Sequence, residues 1–366
     1  MTAGDLAGVA VRRTALDALV RIDEGGAYAN LVLDPVLSGS GLEDRDRRFV
    51  TELVYGTTRM RRACDHLVER HRRGGVTPRV GAALRLGAYQ LAFAGVAPHA
   101  AVSATVSAAP KAARGLVNAV LRRIAEDVDA GIRWPDPATE LSYPDWIVDA
   151  LGRRLGPEVA AEALAAMNRP ATTHVRHDGY VQDLASQAVV EAVEAGPGHR
   201  VLDCCAAPGG KATGLAAAGA DVVAADLSPG RAGLVAANAE GLGQRVAVVV
   251  ADATASPYRD AAFDRVLVDA PCSGLGVLRR RPDARWRIDA AAPARLAGLQ
   301  VRILEDAARL VAPGGMLVYS VCTLTEEENA GVVGAAHLDG LALLDEATHV
   351  PDADRDGMYV ARWTRS

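Results

Sequence analysis

Val201-Leu202-Asp203-Cys204-Cys205-Ala206-Ala207-Pro208-Gly209-Gly210-Lys211 is the stretch that decides how the second half of this 366-residue chain folds. A short apolar run ends in an acid and passes into a turn with adjacent glycines. That is the pattern of a strand feeding a helix through a loop whose backbone approaches a ligand closely. Outward from it the pattern repeats. Asp221-Val222-Val223-Ala224-Ala225-Asp226 reads as a second strand, residues 246–251 as a third that ends at Asp252, and Arg265-Val266-Leu267-Val268 as a fourth that ends at Asp269. Met316-Leu317-Val318-Tyr319, introduced by Pro313-Gly314-Gly315, reads as a fifth, and residues 358–363 as an edge strand. Apolar runs alternating with helical stretches predict parallel strands buried on both faces. Residues 180–366 are therefore expected to form an α/β domain, a doubly wound, Rossmann-like sheet with ligands at the C-terminal ends of its strands.

Residues 1–132 read as all-helical: Leu16, Leu19 and Val20, and again Leu116, Val120 and Ile124, follow helical stripes. Pro135, Pro137 and Pro144, followed by a helical stretch over 146–167, mark residues 133–179 as a linker and connector. The length allows two cores, and 50% apolar with 23% charged residues describes a soluble globular chain. Residues 86–110 carry no formal charge and raise the question of a membrane span. Gln90, Pro98, His99, Ser103 and Thr105 within them instead predict two buried helices broken at Pro98.

The formal net charge of −5 conceals an asymmetry: residues 1–135 hold 19 Arg and Lys against 14 Asp and Glu, the remainder 21 against 31. A basic segment joined to an acidic one fits contact with a polyanion; a solvated Arg-rich helical surface explains the same numbers. Lys111 and Lys211 are the only lysines, which sets Lys211 apart within its glycine turn. Five cysteines, an odd number without a secreted framework, fit reduced thiols and a cytoplasmic location. Zinc-like Cys/His spacing is absent, so no metal is expected.

An acid ending the second strand, Asp226, is placed to accept hydrogen bonds from ribose hydroxyls, and Asp252 to bracket an adenine. A glycine turn followed by an acid suits a dinucleotide as well as S-adenosylmethionine, but G-x-G-x-x-G is missing, and Ala-Ala-Pro-Gly-Gly-Lys is an unusual pyrophosphate loop. The fourth strand runs into Asp269-Ala270-Pro271-Cys272-Ser273-Gly274, and the fifth into Tyr319-Ser320-Val321-Cys322-Thr323. A strand-end carboxylate beside one thiol, with a second thiol nearby, is what methylation of a pyrimidine at carbon 5 requires. A thiolate adds at carbon 6, carbon 5 becomes enamine-like and attacks a sulfonium methyl group, and a carboxyl such as Asp269 stabilises charge near ring nitrogen 3. The second thiol helps expel the first. Buried cysteines are more often inert core residues; that reading is applied to Cys64 and Cys204, and less readily to Cys272 and Cys322.

On these motifs, together with Glu327-Glu328-Asn329, Val181-Gln182-Asp183 and Asp356-Gly357-Met358-Tyr359, the chain resembles the RsmB (Sun/Fmu) family of bacterial ribosomal RNA cytosine-C5 methyltransferases. Residues 49–59 (FVTELVYGTTR), 84–90 (LRLGAYQ) and 117–123 (VNAVLRR) resemble that family's NusB-like RNA-binding domain. The resemblance implies S-adenosylmethionine bound by Cys205, Ala206, Ala207, Pro208, Gly209, Gly210, Lys211, Asp226, Asp252 and Asp269. It implies Cys322 as nucleophile, Cys272 as the thiol that aids release, and small-subunit ribosomal RNA as the substrate; a monomer is expected. In DNA cytosine-C5 methyltransferases the nucleophile is the Cys of Pro-Cys, here Cys272; a second strand-end Cys favours the RNA assignment. The family also places a small α/β subdomain between segments like Asn168-Arg169-Pro170 and Tyr180-Val181-Gln182-Asp183, where this chain has only a few residues.

After the Cys272 motif, Arg279, Arg280, Arg281, Arg285 and Trp286 form a run suited to phosphates and an unstacked base, or to a salt-bridged loop. Arg59, Arg61, Arg62, Arg70, Arg72 and Arg73 form a second such run. Alternatives are a relative acting on tRNA or another RNA, an RNA-binding assembly protein without turnover and, more remotely, a nicotinamide dehydrogenase.

Overall fold

The five apolar runs of the second half all become strands, and their alternation shows why both faces are covered. In the computed structural model, which describes residues 3–25 and 28–366, they are β1 (Arg200–Asp203), β2 (Asp221–Asp226), β3 (Val246–Val250), β4 (Phe263–Asp269) and β5 (Val311–Val321). Two more follow, β6 (Leu341–His349) and β7 (Met358–Arg365), and the sheet order is β3-β2-β1-β4-β5-β7-β6. β1 to β5 run parallel, while β7 and β6 are antiparallel additions. On one face Leu202, Val266, Val268, Leu317 and Tyr319 pack against Ile303 and Leu304 of helix Ala292–Arg309. Their neighbours Val201, Leu267, Met316 and Val318 pack on the other face, with Val189, Leu215 and Val235 from three further helices. The chain reverses its direction across the sheet between β1 and β4, which puts a ligand crevice at their C-terminal ends.

Residues 358–363 are not an edge strand. β7 lies inside the sheet, and the edge is β6, whose side chains are mostly exposed, Leu343 and Leu344 among them.

The chain divides into two compact units, one running to Asp145 and taking in Arg281–Arg287, the other spanning Trp146–Arg280 and Ile288–Ser366. Residues 133–145 of the expected linker fall in the first of these units. Asp136 caps helix Pro137–Leu141 through Thr139 N–H at 2.7 Å, and Arg62 donates to Thr139 Oγ1 (3.0 Å) and the Tyr143 carbonyl (2.8 Å), so this segment belongs to the first unit. The first unit is helical, with Leu16, Leu53, Leu67, Leu84, Leu121 and Ile124 in one core. Helices Pro78–Ala92 and Pro98–Ala108 are separate, and no helix among the described residues is long and apolar enough to cross a membrane. In the second unit the chain turns tightly after Pro170: Arg176 N–H donates to Tyr180 O (2.9 Å) and Gln182 N–H to His174 O (3.0 Å).

Candidate active site

The glycine turn joins β1 to helix Gly210–Ala217. Gly209 has φ +109°, and a Cβ there would stand 3.1 Å from Val235 Cα, so both backbone geometry and space call for glycine. Ala206 N–H donates to Ala225 O at 2.9 Å, which ties the turn to β2. Asp226, buried at the end of β2, accepts from Ala207 N–H (3.3 Å) and Ser228 N–H (3.0 Å) and pairs with Arg231 at 3.4 Å. Asp252 is exposed just beyond β3, its Oδ1 taken by the Thr254 N–H (2.8 Å) and hydroxyl (2.7 Å). Those hydrogen bonds hold its carboxyl below the ordinary range. Asp203, fully buried at the end of β1, is pushed up to about 7, first by burial and then by the charge of Asp269.

The two thiols that the sequence places at neighbouring strand ends meet. Cys272 Sγ and Cys322 Sγ lie 3.3 Å apart. Beside them Lys211 Nζ lies 2.6 Å from Asp269 Oδ2, and Ser320 Oγ donates to Asp269 Oδ1 at 2.8 Å. Burial alone would lower Lys211, but Asp269, then Cys322 and Asp203, hold its pKa above the ordinary value, so it is an ammonium facing acidic groups. Cys272 is pushed well above the ordinary thiol range by its hydrogen bond with Cys322, by burial, and by the charges of Cys322, Glu328 and Asp269. The Lys211–Asp269 pair is the feature that sequence reading missed, although the scarcity of lysine pointed at one half of it.

The loop after Cys272 is anchored by close backbone approach. Gly276 N–H donates to Cys322 O at 3.0 Å, and Gly357 N–H to Gly276 O at 2.8 Å; a Cβ on Gly276 would stand 2.5 Å from Gly357 O. Cys64 and Cys204 are buried core residues, and burial raises both thiols well above their ordinary range.

The arginine run is mostly not available to RNA. Arg279 is 3% exposed and pairs with Asp356 at 2.8 Å, while Arg280 pairs with Asp183 at 2.7 Å and with Asp356 at 2.5 Å. Arg285 is fully buried over the Tyr143 ring, 3.9 Å from its centroid, and Trp286 Nε1 donates to Thr58 O at 2.7 Å. Arg281 alone of the five is exposed. In the second run Arg59 is buried, and Arg61, Arg62 and Arg70 pair with Asp65, Asp145 and Asp127.

The family model described as 16S rRNA methyltransferase RsmB/F matches residues 190–362, and that of the NusB family matches residues 9–126. The ribosomal RNA small subunit methyltransferase B of Thermus thermophilus is 40% identical, over 88% of this chain and 86% of that protein. The chain belongs to the RsmB/F family. A probable ribosomal RNA small subunit methyltransferase B of Bacillus subtilis is 33% identical, over 89% of this chain and 87% of that protein. Its alignment runs to 390 positions, so some tens of them face a gap in this chain. The crystal structure of PH0851 superposes with a TM-score of 0.75 at 20% identity, covering 97% of this chain and 98% of that one, a likeness of fold. As an RsmB/F methyltransferase with a NusB domain, the protein is S-adenosylmethionine-dependent.

Proposed function

We propose that this protein methylates carbon 5 of a cytosine in 16S ribosomal RNA through a covalent adduct on Cys322. The observation that carries the reading is the thiol pair, 3.3 Å apart, beside the Lys211–Asp269 ion pair. Two thiols this close do not both ionise readily. Lys211 attracts negative charge at Cys322, whereas Glu328 and Asp269 disfavour it at Cys272, which supports Cys322 as the thiolate and Cys272 as the neutral thiol.

The turn from Cys205 to Lys211 and the acids Asp226 and Asp252 suit S-adenosylmethionine. Gly209 leaves the turn without a side chain, and carboxylates offer acceptors to ribose hydroxyls. Asp252 Oδ2 is free of the Thr254 turn that occupies Oδ1. The bound cofactor supplies an electrophilic methyl group on a sulfonium. Cys322 Sγ adds to carbon 6 of cytosine, and the ring electrons shift to carbon 5. Asp269, held by Lys211 and Ser320, is oriented toward ring nitrogen 3 and the exocyclic amine. Once carbon 5 carries the methyl group, solvent water takes its proton, and the freed electron pair restores the carbon 5–carbon 6 double bond and expels Cys322 as a thiolate. Cys272, in contact with the departing sulfur, assists this release.

The test is methyl transfer from labelled S-adenosylmethionine to unmodified small-subunit rRNA, with 5-methylcytosine identified by nucleoside mass spectrometry. Cys322→Ala abolishes product, and Cys272→Ala accumulates a protein–RNA adduct; the reverse pattern makes Cys272 the nucleophile. The tight turn after Pro170, where the resemblance implies a subdomain, favours a second reading, an RNA-binding assembly factor without turnover. Wild type that binds cofactor and rRNA but transfers nothing selects that reading, and transfer only to another RNA selects a tRNA-type substrate.

A further inference from the structure

The two loops that carry the thiols share one buried carboxylate. Glu328 is 0% exposed. Its Oε1 accepts from the Ser273 N–H (2.8 Å) and from Gln300 Nε2 (3.1 Å). Its Oε2 accepts from the Ser273 hydroxyl, the Thr325 hydroxyl (2.9 Å) and the Thr323 hydroxyl (3.2 Å). Ser273 directly follows Cys272, and Thr323 directly follows Cys322. The hydroxyls of Ser273 and Thr323 also touch each other at 2.8 Å. Gln300 secures the other side of Cys272, donating to the Pro271 carbonyl at 2.9 Å. Tyr319 fixes the backbone of the clamp itself, its hydroxyl 2.8 Å from the Glu328 carbonyl oxygen.

We infer that Glu328 is a positioning residue that clamps the Cys272 and Cys322 loops together and sets the distance between the two thiols. Because the clamp matters to turnover only if both thiols act, it rests on the two-thiol mechanism. Packing alone does not account for Glu328. It forms no ion pair among the described residues, and a buried charge balanced only by hydrogen bonds costs stability relative to an apolar side chain of similar size. What a carboxylate offers here is acceptor capacity without a donor. A glutamine fits only with its amide oxygen toward Ser273 N–H and Gln300 and its NH2 toward the hydroxyls, which must then turn round to accept, so charge-assisted bonds give way to weaker neutral ones. Glu328 hydrogen-bonds to neither sulfur; beyond the charge it presents to Cys272, it acts through its neighbours.

The clamp predicts a rate of disulfide closure that depends on Glu328 and on no substrate. Diamide oxidises two nearby thiols: the S–S bond forms, and two electrons and both thiol protons pass to the diazene, giving the hydrazine. In the full-length protein the Cys272–Cys322 peptide pair, followed by mass spectrometry, closes rapidly. Glu328→Gln slows closure about tenfold or more and lowers kcat for methyl transfer by a similar factor, as expected for lost preorganisation, with cofactor Kd and rRNA KM within about threefold of wild type. Closure of Glu328→Gln at the wild-type rate overturns the clamp whatever the transfer assay shows. Wild type that closes rapidly but transfers no methyl group, with slow closure in Glu328→Gln, supports the clamp and overturns the two-thiol methylation instead. If Glu328→Gln does not fold, Ser273→Ala and Thr323→Ala each remove one arm and are expected to slow closure severalfold; unchanged closure in both overturns the clamp.

Discussion

At Asp203 burial works against ionisation, and the consequence for pH is specific. Its carboxyl moves from 3.8 to about 7, chiefly through desolvation at the end of β1 and then through Asp269. Below the lower value both folded and unfolded chains hold the proton, and the site has no effect. Between the two values the folded chain keeps a proton that the unfolded chain has lost, so stability falls as pH rises; above about 7 the full cost, on the order of 4 kcal/mol, is present. Asp203→Asn removes that cost, so its gain over wild type in urea unfolding should be larger at pH 8 than at pH 5. A difference that stays constant across that range would falsify the burial account. Lys211 shows the opposite case, a buried cation kept charged by its neighbours. Lys211→Met should slow iodoacetamide alkylation of Cys322 at pH 7 by about tenfold through loss of the facing ammonium. An unchanged rate would remove Lys211 from thiolate stabilisation. Composition drew attention to Lys211, but its partner Asp269 lies 58 positions away, and only the pairing of β1 with β4 brings them together.

The glycine turn and the strand-end acids and thiols were legible among the elements because continuous apolar runs and adjacent glycines are local signals. The arginine run was not, because the partners that decide its role are distant. Asp183 and Asp356 are 97 and 76 positions from Arg280, and they turn a run that reads as an RNA face into a clasp between the hairpin after Pro170 and the loop before β7. Val181-Gln182-Asp183 and Asp356-Gly357-Met358-Tyr359, in sequence no more than signatures, thereby gain a structural role. Arg279→Ala leaves Asp356, which burial already pushes above the ordinary carboxylate range, with Arg280 as its remaining cation. Losing one of the two cations on this buried carboxylate should cost about 1–3 kcal/mol, visible as a lower Tm. Arg281→Ala, at an exposed position, should stay within about 0.5 kcal/mol of wild type. Equal losses in the two variants would contradict the division between clasp and surface.

Across the whole chain, two cores and the excess of positive charge before residue 135 were legible from periodicity and composition. The membership of Arg281–Arg287 in the first unit was not, since that segment follows Cys272 in sequence and only Arg285 over Tyr143 and Trp286 on Thr58 show where it packs. The same pairing logic redirects the search for phosphate contacts. Arg61, Arg62 and Arg70 are taken by acids of their own unit, whereas the exposed Arg45, Arg48, Arg122 and Arg123 form no ion pair among the described residues. Counterion release makes affinity fall with salt in proportion to the phosphates neutralised. If the basic unit docks rRNA through these unpaired arginines, Arg122→Glu with Arg123→Glu should weaken rRNA binding and flatten the plot of log K against log salt by about 1–2 in slope. Arg62→Ala should leave that slope unchanged and lower thermal stability instead, because its guanidinium holds Thr139, Tyr143 and Asp145 in place. Filter binding over a salt series, with Tm measured in parallel, separates the two classes. A slope that responds to Arg62 and ignores Arg122 and Arg123 would place the RNA on the paired face, where each contact would first have to break an internal ion pair.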